Sequence, residues 1–137
     1  MTFERKAAFP PFADDRTLLL ILGSLPGDAS LMAAQYYAHP QNGFWRLMGG
    51  VIGREIHALP YSERLEALRA TGIGLWDVIA SAERPGSLDA AIRSPQAADL
   101  HGLISGLPAL RAVAFNGATA AKGGRKILNG VPGLTLI

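Results

Sequence analysis

Cysteine is absent from this sequence. Its absence excludes disulfides and any zinc or iron–sulfur centre held by thiolates, and it fits a reducing, cytoplasmic setting. Long apolar runs are missing as well. The longest, Leu18 to Leu22, falls far short of the about 20 residues that a membrane helix needs, so no membrane association is expected. The opening stretch, Met1 to Arg16, carries charges and prolines ahead of any apolar run and does not read as a secretory signal. Charge is sparse: 18% of residues are charged and the net charge is +2. The cations are scattered, apart from Lys122, Arg125 and Lys126. Charge alone therefore permits contact with nucleic acid without arguing for it. Against these absences stands a hydrophobic content of 49% in 137 residues. That composition suits one ordered domain over residues 1–137 with a single core.

Four apolar stretches read as strands: Thr17 to Gly23, Gly72 to Ile79, Leu110 to Asn116, and Leu134 to Ile137. The first is unbroken, as in a strand buried on both faces of a parallel sheet. Helical spacing falls between them. Phe44, Leu47, Met48 and Val51 repeat at i, i+3, i+4, i+7, as do Leu100, Leu103, Ile104 and Leu107. Ser94 followed by Pro95 predicts the cap and first turn of the latter helix. Tyr61, Leu65 and Leu68 form a third apolar face, ended by Gly72. A last helix is expected over residues 117–128, weakened by Gly123-Gly124. Strands alternating with helices predict an α/β fold with a central, mainly parallel four-stranded sheet between helical layers. Ligands of such sheets bind beyond the carboxyl ends of the strands, which points to Gly23 to Asp28, Asp77 onward, and Asn116-Gly117.

Several residues there bear on chemistry. Gly23-Ser-Leu-Pro-Gly27 is a tight turn whose N–H groups face an anion or a base edge, or else a plain strand-to-loop turn. It is neither a Walker loop nor GxGxxG. Tyr36-Tyr-Ala-His-Pro-Gln-Asn-Gly-Phe-Trp45 crowds four aromatics, a histidine and two amides around one proline, which is the composition of a pocket for a planar heterocycle. Tyr37 and Asn42 read as pocket residues, whereas Phe44 and Trp45 read as the start of a helix's apolar face. His39 reads as a loop anchor, and His57 and His101 as surface or helix residues. No carboxylate or second histidine stands at ligand spacing to it, so no metal is expected.

A buried strand followed by Gly-x-x-Pro-Gly and Tyr-Ala-His-Pro-Gln-Asn-x-Phe-Trp resembles the first active-site segment of the uracil-DNA glycosylase superfamily, in its mismatch-specific and hypoxanthine branches. The resemblance runs from Leu18 to Leu47, with weaker echoes at Gly74 to Val78, Arg84 to Ile92, and Ala114 to Gly117. It implies a three-layer α/β/α sandwich, a monomer, and hydrolysis of the N-glycosidic bond of a damaged base in double-stranded DNA, without cofactor or metal. The setting would be cytoplasmic and, in a prokaryote, nucleoid-associated. On this resemblance Tyr37 stacks on the flipped base and Asp77 reads its polar edge, although Asp77 reads equally as a helix cap or loop anchor. Ser24 and nearby N–H groups polarise the leaving base, while Gly27, His39, Ser87 and Asn116 lie along the DNA. The mismatch-specific uracil enzymes carry a water-placing Asn at the third position of Gly-x-x-Pro-Gly. Leu25 stands there in this chain, which leaves Asn42 as the catalytic residue and shifts the expected substrate from uracil toward deoxyinosine. The family's Pro- and Ser-rich loop after the last strand has no counterpart up to Ile137, which is the expectation for a fragment of a longer protein. Two alternatives stay open: a non-catalytic nucleic-acid-binding domain of the same fold, and a generic nucleotide-binding α/β domain.

Overall fold

A computed structural model describes residues 5–137. Its centre is a four-stranded sheet built from β2 (Leu19–Gly23), β3 (Ile73–Asp77), β6 (Ala112–Phe115) and β7 (Thr135–Leu136), in the order β3-β2-β6-β7 with every neighbouring pair parallel. Side chains alternate across a strand, and β2 shows why the sequence there is continuously apolar. Leu20 and Leu22 enter one core with Val113, Ala120 and Leu128, while Ile21 enters the other with Ile73 and Leu75.

Helices α2 (Phe44–Ile52) and α3 (Tyr61–Ala70) close the Ile21 face through Phe44, Trp45, Met48 and Leu68. Helices α4 (Leu100–Ser105) and α5 (Ala118–Leu128) close the opposite face. The weak point expected in α5 is instead a packing device. The Phe115 ring lies where a Gly124 side chain would stand, so the glycine lets helix and strand approach closely. Short α1 (Asp28–Ala33) follows the β2 turn. Among the described residues no helix is long and apolar enough to cross a membrane.

Two expectations are corrected. The stretch Gly72 to Ile79 is not one strand. The parallel strand ends at Asp77, and after Val78 the chain enters β4 (Ile79–Glu83), which pairs antiparallel with β1 (Arg5–Ala7) and β5 (Arg93–Ala97) in a second, three-stranded sheet. Ser94 and Pro95 lie within β5 rather than at a helix start. Ser94 sits at φ 49°, and the β4–β5 register is broken by bulges, the irregularity that makes a proline tolerable in a ladder. The helix begins at Leu100 instead, capped by Asp99, whose carboxylate accepts the Gly102 N–H at 2.9 Å.

Candidate active site

The carboxyl ends of β2, β3 and β6 open on a cavity of about 330 Å³. Around it the fold gathers Ser24, Leu25, Gly27, Tyr37, His39, Asn42, Asp77, Ser87 and Asn116, residues up to 92 positions apart in sequence (116 − 24).

The loop after β2 forms one wall. Ser24 Oγ donates to Asp89 Oδ1 at 2.7 Å, so what Ser24 can offer a base is its backbone N–H rather than its hydroxyl proton. Leu25 is buried, and Gly27 ends the loop at the start of α1. Arg84, only 1% exposed, donates from Nη1 to Leu25 O, from Nη2 to Pro26 O and from Nε to Gly86 O. It also approaches Asp89 at 4.0 Å. Ser87 Oγ accepts the Asp28 N–H at 2.8 Å. Neither Arg84 nor Asp89 stands out from sequence reasoning. Their one signal in the sequence is the weak family echo from Arg84 to Ile92, which contains both without giving either a role.

The facing wall is aromatic. Tyr37 lies at φ 54°, and its ring stacks on Phe44 with centroids 3.7 Å apart and planes 17° from parallel. Phe44 thus serves both as α2 core and as backing for Tyr37. Burial pushes the Tyr37 phenol up to about 12, opposed by the neighbouring Asn116 amide and reinforced by Asp77. Tyr36, expected only as part of the aromatic crowd, is buried, with its hydroxyl donating to Pro10 O at 2.9 Å. Asn42 Oδ1 accepts the Phe44 N–H at 2.9 Å, which fixes the amide while leaving its NH₂ and one oxygen lone pair unused. His39 Nδ1 accepts the Gln41 N–H at 3.1 Å, which leaves Nε2 as the protonated nitrogen.

Asp77 closes the floor at the end of β3. It is 4% exposed and acts neither as a cap nor as a loop anchor: its Oδ2, like the Tyr37 hydroxyl, is buried without a hydrogen-bond partner among the described residues. Burial, with Asp89 adding and Arg84 opposing, pushes its carboxyl up to about 7. Gly23 makes this geometry possible, since a Cβ there would lie 2.7 Å from Asp77 Oδ1 and 3.0 Å from Tyr37 Oη. Asn116 follows β6, its N–H bonded to Leu22 O at 2.8 Å and its side chain at the cavity.

Comparison with known proteins agrees with this architecture. The family described as the uracil DNA glycosylase superfamily matches residues 10–133. A hypoxanthine DNA glycosylase of Methanosarcina barkeri is 46% identical over 113 residues, spanning 82% of this chain and 72% of that protein. One of the same name from Methanosarcina acetivorans is 43% identical over 117 residues, spanning 85% and 74%. The solution NMR structure of a candidate uracil DNA glycosylase from Methanosarcina acetivorans superposes with a TM-score of 0.87 at 40% identity, covering 98% of this chain and 83% of that one. The chain belongs to the uracil DNA glycosylase superfamily and is a DNA glycosylase, a hydrolase of N-glycosyl bonds.

Proposed function

We propose that this glycosylase excises hypoxanthine from deoxyinosine in double-stranded DNA, acting as a cytoplasmic monomer without metal or cofactor, with uracil as the second-ranked base. The observation that carries the reading is the pair of buried, unpartnered polar atoms, Tyr37 Oη and Asp77 Oδ2, at the floor of a cavity walled by an aromatic ring. Buried polar atoms are rarely left unsatisfied, and a site that leaves them so is built to be completed by a ligand. A flipped purine supplies the missing partners, since an ionised Asp77 accepts the N1–H of hypoxanthine and a protonated one donates to its O6. The names of the two Methanosarcina relatives point the same way.

In this mechanism the base lies against the Tyr37 ring, whose other face is backed by Phe44. Leu25 supplies only an apolar surface, so the attacking water is held by Asn42. An amide is no general base. Asn42 orients water toward C1′ while the sugar develops oxocarbenium character, and backbone N–H groups of the Ser24 loop stabilise charge on the departing base. Single-turnover cleavage of a labelled duplex carrying one deoxyinosine, beside matched uracil and undamaged duplexes, tests the proposal. Cleavage fastest at deoxyinosine supports it. Faster cleavage at uracil reverses the substrate order, and binding without cleavage of any duplex favours the non-catalytic DNA-binding alternative.

A further inference from the structure

Beside the base cavity lies a second hollow of about 210 Å³ that shares Tyr37, His39 and Asn42 with it. Its remaining polar lining is two arginines and a histidine, Arg46, Arg64 and His57, with no carboxylate. Neither arginine is paired with an acidic side chain among the described residues. Arg64 is held in place, its Nε donating to Leu59 O at 2.7 Å and its guanidinium 5.6 Å from the centroid of Trp45, so its terminal N–H groups are preordered and unspent. Arg46 stands in the first turn of α2, a turn with no acidic residue. The helix dipole opposes a cation at that end, and an anion seated in the hollow would satisfy both the dipole and the guanidinium.

We propose that this hollow binds a DNA backbone phosphate next to the excised nucleotide. The inference rests on the glycosylase reading and adds to it a site for the phosphodiester. Connectivity supports it. In a nucleotide the sugar lies between base and phosphate, and here Asn42, the residue placed opposite C1′, forms the boundary between the base cavity and the cationic hollow. A base in one and its phosphate in the other puts the deoxyribose at Asn42. Across Arg46 and His57 a neighbouring hollow adds Arg54 and one carboxylate, Glu55, so the cationic surface continues along the path the strand would take.

The test is a titration of deoxyinosine-containing and undamaged duplexes of one sequence, at several salt concentrations, with the unaltered protein, Arg46→Gln, Arg46→Lys and His57→Gln. Loss of one phosphate contact lowers the slope of log K against log salt by about 0.9. Arg46→Gln should show that drop on the deoxyinosine duplex and a smaller one on the undamaged duplex, whose bases stay stacked, with Arg46→Lys restoring the slope and His57→Gln weakening the deoxyinosine duplex. An unchanged slope and affinity in Arg46→Gln and His57→Gln would overturn the proposal. If the unaltered protein still cleaves deoxyinosine in that case, the glycosylase reading survives alone, and if it binds no duplex at all, both fall. Inorganic phosphate replacing chloride at constant ionic strength should compete with the DNA for the unaltered protein and lose that effect in Arg46→Gln. An equal effect on both proteins would place the anion elsewhere and overturn the site.

Discussion

On the loop side of the base cavity the Ser24 hydroxyl is bonded to Asp89, the Leu25 and Pro26 carbonyls to Arg84, and the Asp28 N–H to Ser87. On the aromatic side the Tyr37 hydroxyl and Asp77 Oδ2 are buried with no hydrogen-bond partner among the described residues. The loop side reaches the surface at Ser87 and Asp89 yet has its hydrogen bonds made, whereas the two aromatic-side atoms are buried, where an unmet hydrogen bond is costly. The loop side is a frame, completed when the chain folds. The aromatic side is left incomplete for what enters the cavity. Substitutions in the frame should therefore lower stability and activity together, whereas those that remove the two unpartnered atoms should change activity with stability unchanged or improved.

Asn42→Ala is the strongest test. It should lower the single-turnover rate by about 10²–10³-fold, the usual effect of losing one positioned polar group. Duplex affinity should stay near that of the parent, stability in urea should fall by no more than about 1 kcal/mol for the lost Phe44 N–H bond, and a larger loss of stability would break the division. Arg84→Met removes a buried donor from three carbonyls at once and should cost about 3 kcal/mol, at about 1 kcal/mol per bond. Urea unfolding would register this as a lower midpoint at unchanged m-value. A Met variant with the parental midpoint would show that the loop does not depend on its arginine. Gly23→Ala, where frame and aromatic wall meet, forces a methyl against Asp77 and Tyr37 and should cost about 1–3 kcal/mol, divided between stability and base binding.

Asp77→Asn sharpens the contrast because its sign is opposite. The folded carboxyl titrates at about 7 against an ordinary value of 3.8. Between those values the folded state keeps a proton that the unfolded state has released, so stability falls as pH rises through that window. The asparagine variant lacks this slope. It should exceed the parent in stability by on the order of 4 kcal/mol near pH 8 and match it near pH 4. Urea midpoints at the two pH values check the difference, and parallel pH profiles would refute it. Ser87→Ala, losing one exposed hydrogen bond to the frame, should show the smallest effect, about 1 kcal/mol or less by the same unfolding measurement.

The two sheets show how far the sequence could be read. β2 lies between two cores and must be apolar throughout, so Leu19 to Gly23 declares itself. β5 is exposed along its whole length, carries Arg93, Ser94 and Pro95, and is a strand only because β4 lies beside it, a tertiary fact that no local pattern records. The site divides in the same way. The aromatic motif and Gly-x-x-Pro-Gly marked Tyr37, Asn42 and the Ser24 loop through a composition unusual for loops, and all of them line the cavity. Arg84 and Asp89 act on backbone carbonyls and on a hydroxyl, partners that leave no trace in residue type, and the cationic hollow joins residues from two helices and the loops before them.

On the proposed mechanism, the left-handed backbone of Tyr37 has a thermodynamic consequence for base capture. A non-glycine residue in that region costs on the order of 1–2 kcal/mol and persists only where its surroundings hold it. Here the ring is clasped against Phe44 before any base arrives. Its rotamer freedom is surrendered during folding, so calorimetry of base capture should show a smaller entropic penalty than ordering a free tyrosine would impose.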